Sequence, residues 1–277
     1  MRPLVLKLGG ELVEGSANLA TVVSAVASIA AAERHLVLIH GGGREIDAAL
    51  QRAGIAKRQV EGLRITDEAT LAIVVTVLAG AVNPRFVAAL NTAGVPAIGL
   101  TGADARCALS SLSPPHRTRD GRLVDLGRVG VPDPDADVSL LRILVAAGFV
   151  PVLACIGVDR EGRLLNVNAD TLAGHVAAQL GARRLVVAGT TQGVLGNDGG
   201  TMEVLDSAGV AALIDDGTAT AGMIAKLRAC EHALAHGVDE VVIVDGRERL
   251  AIQAAARGDA SSGATRITAG MKPCPTG

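Results

Sequence analysis

Residues 36–45 read LVLIHGGGRE. An apolar run ending in a histidine leads into three glycines, and charge appears only after them. A strand without polar alternation is covered on both faces, as in parallel sheets. The glycines let the chain turn sharply into a helix. Residues 4–11, LVLKLGGE, repeat the design. Further apolar runs follow at 95–100, 149–155, 183–189, 240–246 and 264–267. Helical patterns lie between them, at 18–32, 44–53, 138–147, 169–180 and 222–236. Strands spaced by helices predict an α/β fold, a mostly parallel open sheet between two helical layers. Between 106 and 131 the pattern becomes short and polar, which predicts hairpins at the sheet rim. VDREGRLL at 158–165 predicts another, turning at Glu161 and Gly162. The tail from Ala269 reads as loose.

The 277 residues allow one large domain or two modest ones. A hydrophobic fraction of 49% supports a sizeable core. A net charge of -2, scattered basic residues, no Trp, no Tyr and two Phe argue against nucleic acid as partner. Two uncharged runs, 15–32 and 69–84, read as buried helices. The second falls short of the roughly 20 residues of a membrane span. The N-terminal apolar segment is too short for a signal peptide and is broken by Lys7. Cys107, Cys155, Cys230 and Cys274 stand far apart, so neither a disulfide framework nor a zinc site is expected. A reduced, cytoplasmic enzyme without a bound metal is the expectation.

Glycines between strand and helix bring backbone N–H groups close to an anion. Neither turn is a known nucleotide fingerprint: Ile46 breaks GxGxxG, and no Gly-Lys pair exists for a Walker A loop. Lys7 interrupts an apolar strand, so it must reach the rim or meet negative charge. Lys226 sits in the first turns of a helix, where the dipole disfavours a cation. Each alone reads as a surface lysine. Together they would flank a transferring phosphoryl group, with Asp170 holding both from its helix start. Arg64, followed by a cap at Thr66 or Asp67, has the fork geometry to clamp a carboxylate. In NVNAD, 166–170, Asn168 reads as a helix cap. His232 and His236 stand four apart, but Ala233 breaks HExxH, so both read as exposed helix residues. His40 and His175 read as satisfied hydrogen-bonders, and Cys155 as core.

VLKLGG at 5–10, IHGGG at 39–43, GLRITD at 62–67, the stretch 151–170 and AGMIAK at 221–226 follow one another in a familiar order. In these motifs the chain resembles the acetylglutamate kinases, a branch of the amino acid kinase family. The resemblance covers nearly all of it, about residues 3 to 268. It implies an αβα sandwich. Residues 1–180 would bind N-acetyl-L-glutamate and dimerise, and 181–277 would bind ATP. The implied reaction passes the γ-phosphoryl group of MgATP to the side-chain carboxylate, forming an acyl phosphate in arginine biosynthesis. Mg2+ would be held mainly by the nucleotide. Lys7 and Lys226 would stabilise the transferring group, and Asp170 would orient them. Gly42, Gly43, Arg64 and Asn166 would bind acetylglutamate. Gly10, Thr190, Gly193, Val194, Leu195 and Thr220 would contact the nucleotide. The apolar helix at 70–81 would form the interface of a homodimer, with no nucleic acid or membrane as partner. The short lead before the first strand resembles the arginine-insensitive dimers.

Two departures fall in the nucleotide half. Gly189 or Thr190 stands where the family has an aspartate, and Ala221 and Ala225 replace usual residues around the second lysine motif. Two rival readings stay open on sequence alone. One is the related kinase of lysine biosynthesis, whose substrate rides on an acidic carrier. Arg106, Arg117, Arg119 and Arg122 would supply its basic rim, diluted by Asp120 and Asp125. The other is a ligand sensor that has lost turnover.

Overall fold

The structure is a computed structural model that describes residues 2–219, 221–259 and 263–268. Thr220, Cys274 and the tail from Ala269 lie outside these residues. One sheet of eight strands runs through the molecule. In chain order its strands are β1 (Leu4–Leu8), β2 (Leu36–His40), β3 (Ala97–Thr101), β4 (Val150–Ala154), β5 (Arg184–Gly189), β6 (Val204–Asp206), β7 (Glu240–Asp245) and β8 (Thr265–Thr268). Their order across the sheet is β6-β8-β7-β5-β1-β2-β4-β3. Every pairing is parallel except β7 with β8. β1, β2 and β4 are buried along their whole length, as their unbroken apolar runs require.

Eight helices build the outer layers and the site: α1 (Ser16–Ala32), α2 (Gly43–Arg52), α3 (Glu68–Thr92), α4 (Ser139–Ala146), α5 (Ala169–Leu180), α6 (Ser207–Asp215), α7 (Ala221–Ala235) and α8 (Arg249–Arg257). α1 packs against α8 and the end of α3, while α5 packs against α7. The Arg142 side chain of α4 donates to the Leu180 carbonyl of α5, which ties these two together at 3.3 Å. A smaller four-stranded sheet, with Ile156–Val158, Leu164–Val167, Val129–Pro132 and Ser110–Leu112, sits at the rim. The turn at Gly162, with φ +85°, closes the hairpin expected there. A second hairpin pairs His116–Arg117 with Leu123–Val124, and a third pairs Gln59–Val60 with Leu63–Arg64.

The helix expected at 69–84 is present and runs further: it spans Glu68–Thr92, and its length and composition alone would allow a membrane crossing. Its Leu71, Val74, Val77, Leu78, Val82, Phe86 and Leu90 are buried in the core. Continuation through Pro84 has a physical reason. Leu78–Val82 forms a π turn, which widens the helix where proline lacks an N–H and would clash with the preceding turn.

β1 lies between β5 and β2, the place where neighbours change from the second half of the chain to the first. The glycine turns that follow β1 and β2 therefore open at the carboxyl edge, at a switch point, where α/β sheets bind ligands.

Candidate active site

Lys7 enters on β1 between Leu6 and Leu8 and is 6% exposed. An ammonium there requires a partner, and Asp170 supplies it: Nζ to Oδ1 is 2.8 Å. Asp170 is fixed by its helix start. The Asn168 side chain caps α5, accepting from the Asp170 and Thr171 amides at 2.9 and 3.1 Å. From α7 the Lys226 Nζ reaches the same Asp170 Oδ1 at 3.4 Å. Burial alone would raise the Asp170 carboxyl; the two ammonium groups outweigh it and hold it below the usual carboxylate range. Burial and the neighbouring Lys7 lower the Lys226 ammonium, against the pull of Asp170. Two cations share one carboxylate, so the cluster keeps an excess positive charge in a largely dry setting.

The glycine turns press against one another beside it. A Cβ on Gly10 would stand 2.7 Å from the Gly42 nitrogen and 2.8 Å from that of Gly43. Only glycine permits this approach. Among the described residues no acceptor takes the Gly10, Gly42 or Gly43 amides, which leaves three N–H groups at the starts of a short helix, Gly10–Val13, and of α2. Beneath them, His40 contacts the Gly41 carbonyl through Nδ1 at 2.9 Å and the Asn83 amide through Nε2 at 3.0 Å. Burial lowers its pKa to about 4, so the ring is neutral, with Nδ1 donating and Nε2 accepting.

A cleft of about 240 Å³ opens between these turns and the small sheet, lined by Gly42, Gly43, Arg64, Cys155, Asn166 and Asn168 among others. Arg64 is the cation in it. Its Nη2 donates to Asp47 Oδ1 at 2.5 Å, and its Nη1 is buried with no partner. Asn166, on the strand Leu164–Val167, donates to Thr66 Oγ1 at 3.0 Å. Thr66 is therefore not the cap of α3. Asp67 is, accepting from the Thr70 amide at 2.8 Å. Three contacts around the cleft had no counterpart in the sequence patterns: Asp47 on Arg64, Thr66 on Asn166, and Asn83, which donates to the Val152 carbonyl at 2.9 Å and meets His40. Asn83 had a visible signal, a lone amide ahead of a proline in apolar chain.

The positions expected to meet nucleotide divide. Gly189, at the end of β5, would bring a Cβ within 3.8 Å of the Lys226 Nζ, so the loop after it starts beside the lysine. Thr190 is half-buried at its start and Leu195 is exposed. Gly193 and Val194 are turned inward instead. The Gly193 amide donates to the Thr191 carbonyl, and the Val194 amide donates to Thr265 Oγ1 at 2.8 Å, so both N–H groups are already used. Thr220 lies outside the described residues. A wider cleft of about 700 Å³ separates the His116–Arg117 hairpin from α6 and α7, with Arg117, Arg119 and Arg228 on its walls.

The histidines need one correction. His40 is satisfied as expected, but His175 Nε2 is buried without a partner. α5 packs tightly on α7 there, and its neighbour is the His232 ring, 6.3 Å away between centroids, rather than a hydrogen-bonding group. His232 and His236 are exposed, as expected. Cys107, Cys155 and Cys230 are free and buried.

Comparison with known proteins agrees with this geometry. The model of the amino acid kinase family matches residues 2–245. The chain is 41% identical to the acetylglutamate kinase of Parvibaculum lavamentivorans, over 91% of this chain and 84% of that one. It is 36% identical to the chloroplastic acetylglutamate kinase of Arabidopsis thaliana, over 96% and 75%. Among solved structures, N-acetylglutamate synthase from Neisseria gonorrhoeae, complexed with coenzyme A and N-acetyl-glutamate, superposes with a TM-score of 0.81 at 26% identity. That match covers 96% of this chain and 59% of the synthase. An open parallel sheet, a lysine on its first strand and paired glycine turns at its switch point thus come with a shared sequence, and the chain belongs to the amino acid kinase family.

Proposed function

We propose that this chain is an N-acetyl-L-glutamate 5-kinase, transferring the γ-phosphoryl group of ATP to the side-chain carboxylate of N-acetyl-L-glutamate to form an acyl phosphate in arginine biosynthesis. The observation that carries the proposal is the Lys7–Asp170–Lys226 cluster beside a cleft holding a half-paired arginine. Identities near 40% to acetylglutamate kinases over most of the chain support the same substrate.

The roles follow from charge. A carboxylate nucleophile is ionised at neutral pH and needs no general base. Lys7 and Lys226 offset the charge that spreads over the phosphoryl oxygens, and Asp170 keeps the two ammonium groups close despite their repulsion. The Gly10 amide serves the phosphates, and the Gly42 and Gly43 amides serve the substrate. Arg64 and Asn166 take the α-carboxylate. Thr190 and Leu195 offer the nucleotide an accessible edge, while Gly193 and Val194 shape the loop. Residues 1–180 carry the acetylglutamate half and 181–277 the ATP half.

Mg2+ travels on the nucleotide phosphates in this reading. Asp170 is already shared by two lysines, and among the described residues no three His, Cys, Asp or Glu are grouped to hold a metal. The enzyme works as a cytoplasmic homodimer through α3, whose solvent side shows Ala69, Ala72, Thr76, Gly80 and Ala81 and no charge between 69 and 84.

The test is ATP turnover by the purified protein with N-acetylglutamate, glutamate and aminoadipate, with Lys226→Ala alongside. Turnover with N-acetylglutamate that the variant loses supports the assignment. Turnover with none of the three overturns it and points to a carrier-bound substrate or a sensor.

A further inference from the structure

Arg64 is held at one end only. Its side chain is 11% exposed, and its Nη2 sits 2.5 Å from Asp47 Oδ1, with the Gly43 carbonyl at a long 3.4 Å. Its Nη1 is buried and has no partner. A buried donor without an acceptor is costly, and this nitrogen faces the cleft as a charged donor that an anion can satisfy. The guanidinium must stay where it is for that geometry to persist. Arg64 lies on a two-stranded hairpin, Gln59–Val60 with Leu63–Arg64, and this hairpin rests on a turn at Glu61 and Gly62 where both residues have positive φ, 45° and 79°. The turn is tied to the neighbouring hairpin, because Glu61 accepts from the Arg119 amide at 2.8 Å and meets His116 Nε2 at 2.9 Å. The guanidinium itself is held from α2, where Asp47 stands one turn after Gly43.

We propose that Asp47 is a positioning residue for this reaction: it locks the Arg64 guanidinium by one edge, so that Nη1 stays presented to the substrate carboxylate. The inference rests on the acetylglutamate assignment for what Arg64 binds, but not for how Arg64 is held. Asp47 is well suited to the task. Its second oxygen, Oδ2, accepts from Lys57 Nζ at 2.6 Å, so the carboxylate is fixed from both sides. Burial would raise its carboxyl, and the hydrogen bonds from Lys57 and Arg64 overcome that and hold it below the ordinary range. It therefore remains charged wherever the enzyme operates near neutrality. Lys57 is 44% exposed and its pair is screened by solvent, so it assists and does not decide the geometry. Asp47 also joins the two parts of the cleft mechanically. α2 carries the Gly43 amide and the hairpin carries Arg64, and the Asp47–Arg64 bond fixes their separation.

The experiment compares Asp47→Ala, Asp47→Asn and Asp47→Glu with the wild type. Steady-state kinetics are measured for both substrates, and the side-chain Nε–H resonance of Arg64 is followed by relaxation NMR without ligand. The expected result is a KM for N-acetylglutamate raised on the order of 10- to 100-fold in Asp47→Ala, with KM for ATP and kcat within about threefold. Asp47→Asn lies between, Asp47→Glu recovers much of the loss, and the Arg64 signal turns from rigid to mobile in Asp47→Ala. An unchanged acetylglutamate KM in Asp47→Ala overturns the proposal, as does an equal rise for both substrates. An Arg64 signal equally rigid in all four proteins overturns it too. If the wild type ignores N-acetylglutamate, the assignment of substrate fails, and the NMR comparison alone decides the role of Asp47. Should Asp47→Ala not fold, Asp47→Asn carries the same comparison.

Discussion

Gly10 and Gly43 belong to the same pair of turns yet differ in what surrounds them. A Cβ on Gly10 would meet backbone atoms of Gly42 and Gly43 at 2.7 to 2.8 Å, whereas one on Gly43 would meet nothing within 4 Å. Gly10→Ala therefore forces the turns apart, at about 1 to 3 kcal/mol of stability, and abolishes most turnover. Gly43→Ala leaves the melting temperature unchanged and raises only the substrate KM, because the added methyl group stands where the substrate approaches. Melting curves and kinetics on the two variants check this; equal destabilisation would contradict the packing described. Asp170→Asn is a sharper case. It removes the charge that reconciles two ammonium groups, both placed at the same oxygen at 2.8 and 3.4 Å. The expected loss is about 10²- to 10³-fold in kcat. ATP should also raise the melting temperature of this variant more than that of the wild type, since its phosphates replace the missing anion. At this scale the sequence spoke where a residue was out of place: a lysine in an apolar strand, a second asparagine before a cap. Asp47 was silent because an aspartate on a helix surface is ordinary until the fold brings Arg64 to it.

The packing of α5 on α7 sets how far Lys226 stands from Asp170. Gly174 is the close point, where an added Cβ would lie 2.6 Å from the Ala229 carbonyl oxygen. Gly174→Ala pushes α7 outward, costing about 1 to 3 kcal/mol and lowering kcat more than either KM. A variant that melts lower yet keeps full kcat would sever this link between helix spacing and catalysis. His175, the next residue, makes the same seam sensitive to acid. Burial, then the nearby His232, lowers its pKa to about 4 from the ordinary 6.5. The unfolded chain accepts a proton that the folded chain refuses, so stability is complete above pH 6.5 and falls as pH drops towards 4. At pH 5 the loss is about 2 kcal/mol from this group, and His40 adds a term of the same sign. Denaturant titrations at pH 7.5 and pH 5 should show a smaller drop for His175→Gln than for the wild type. Equal drops would mean that the ring is hydrated. Among elements, α5 was legible to the residue, with a cap at Asn168 and a left-handed glycine at Gly181 marking its ends. α8 was not, because it is short, buries the polar Gln253 beside Ile252, Ala255 and Ala256, and leaves Leu250 67% exposed, so its apolar residues do not mark its buried face. The passage of α3 through Pro84 was hidden because a π turn leaves no mark in composition.

Across the whole molecule, the parallel sheet was legible from unbroken apolar runs, but the order of its strands was not. Nothing in a strand's composition names its neighbour. The same limit applies to the outer face of α3, where apolar residues meet solvent and the proposed dimer would cover them. Thr76→Arg on that face should halve the mass in sedimentation while the circular dichroism spectrum stays native; a wild type that sediments as a monomer would rule the dimer out. The strand order has one more consequence, for synthesis on the ribosome. β1 is made first, yet it ends in the interior of the sheet, paired on one side with β2 and on the other with β5 at 184–189. Its second edge, fully apolar except for Lys7, stays open until more than half the chain has emerged. An open apolar edge invites pairing with other chains. A nascent chain stalled before residue 184 should therefore depend on chaperones and aggregate without them. Full-length chains escape this once β5 closes the gap, and closing it also sets the first strand's lysine beside the half of the chain that will bring Lys226.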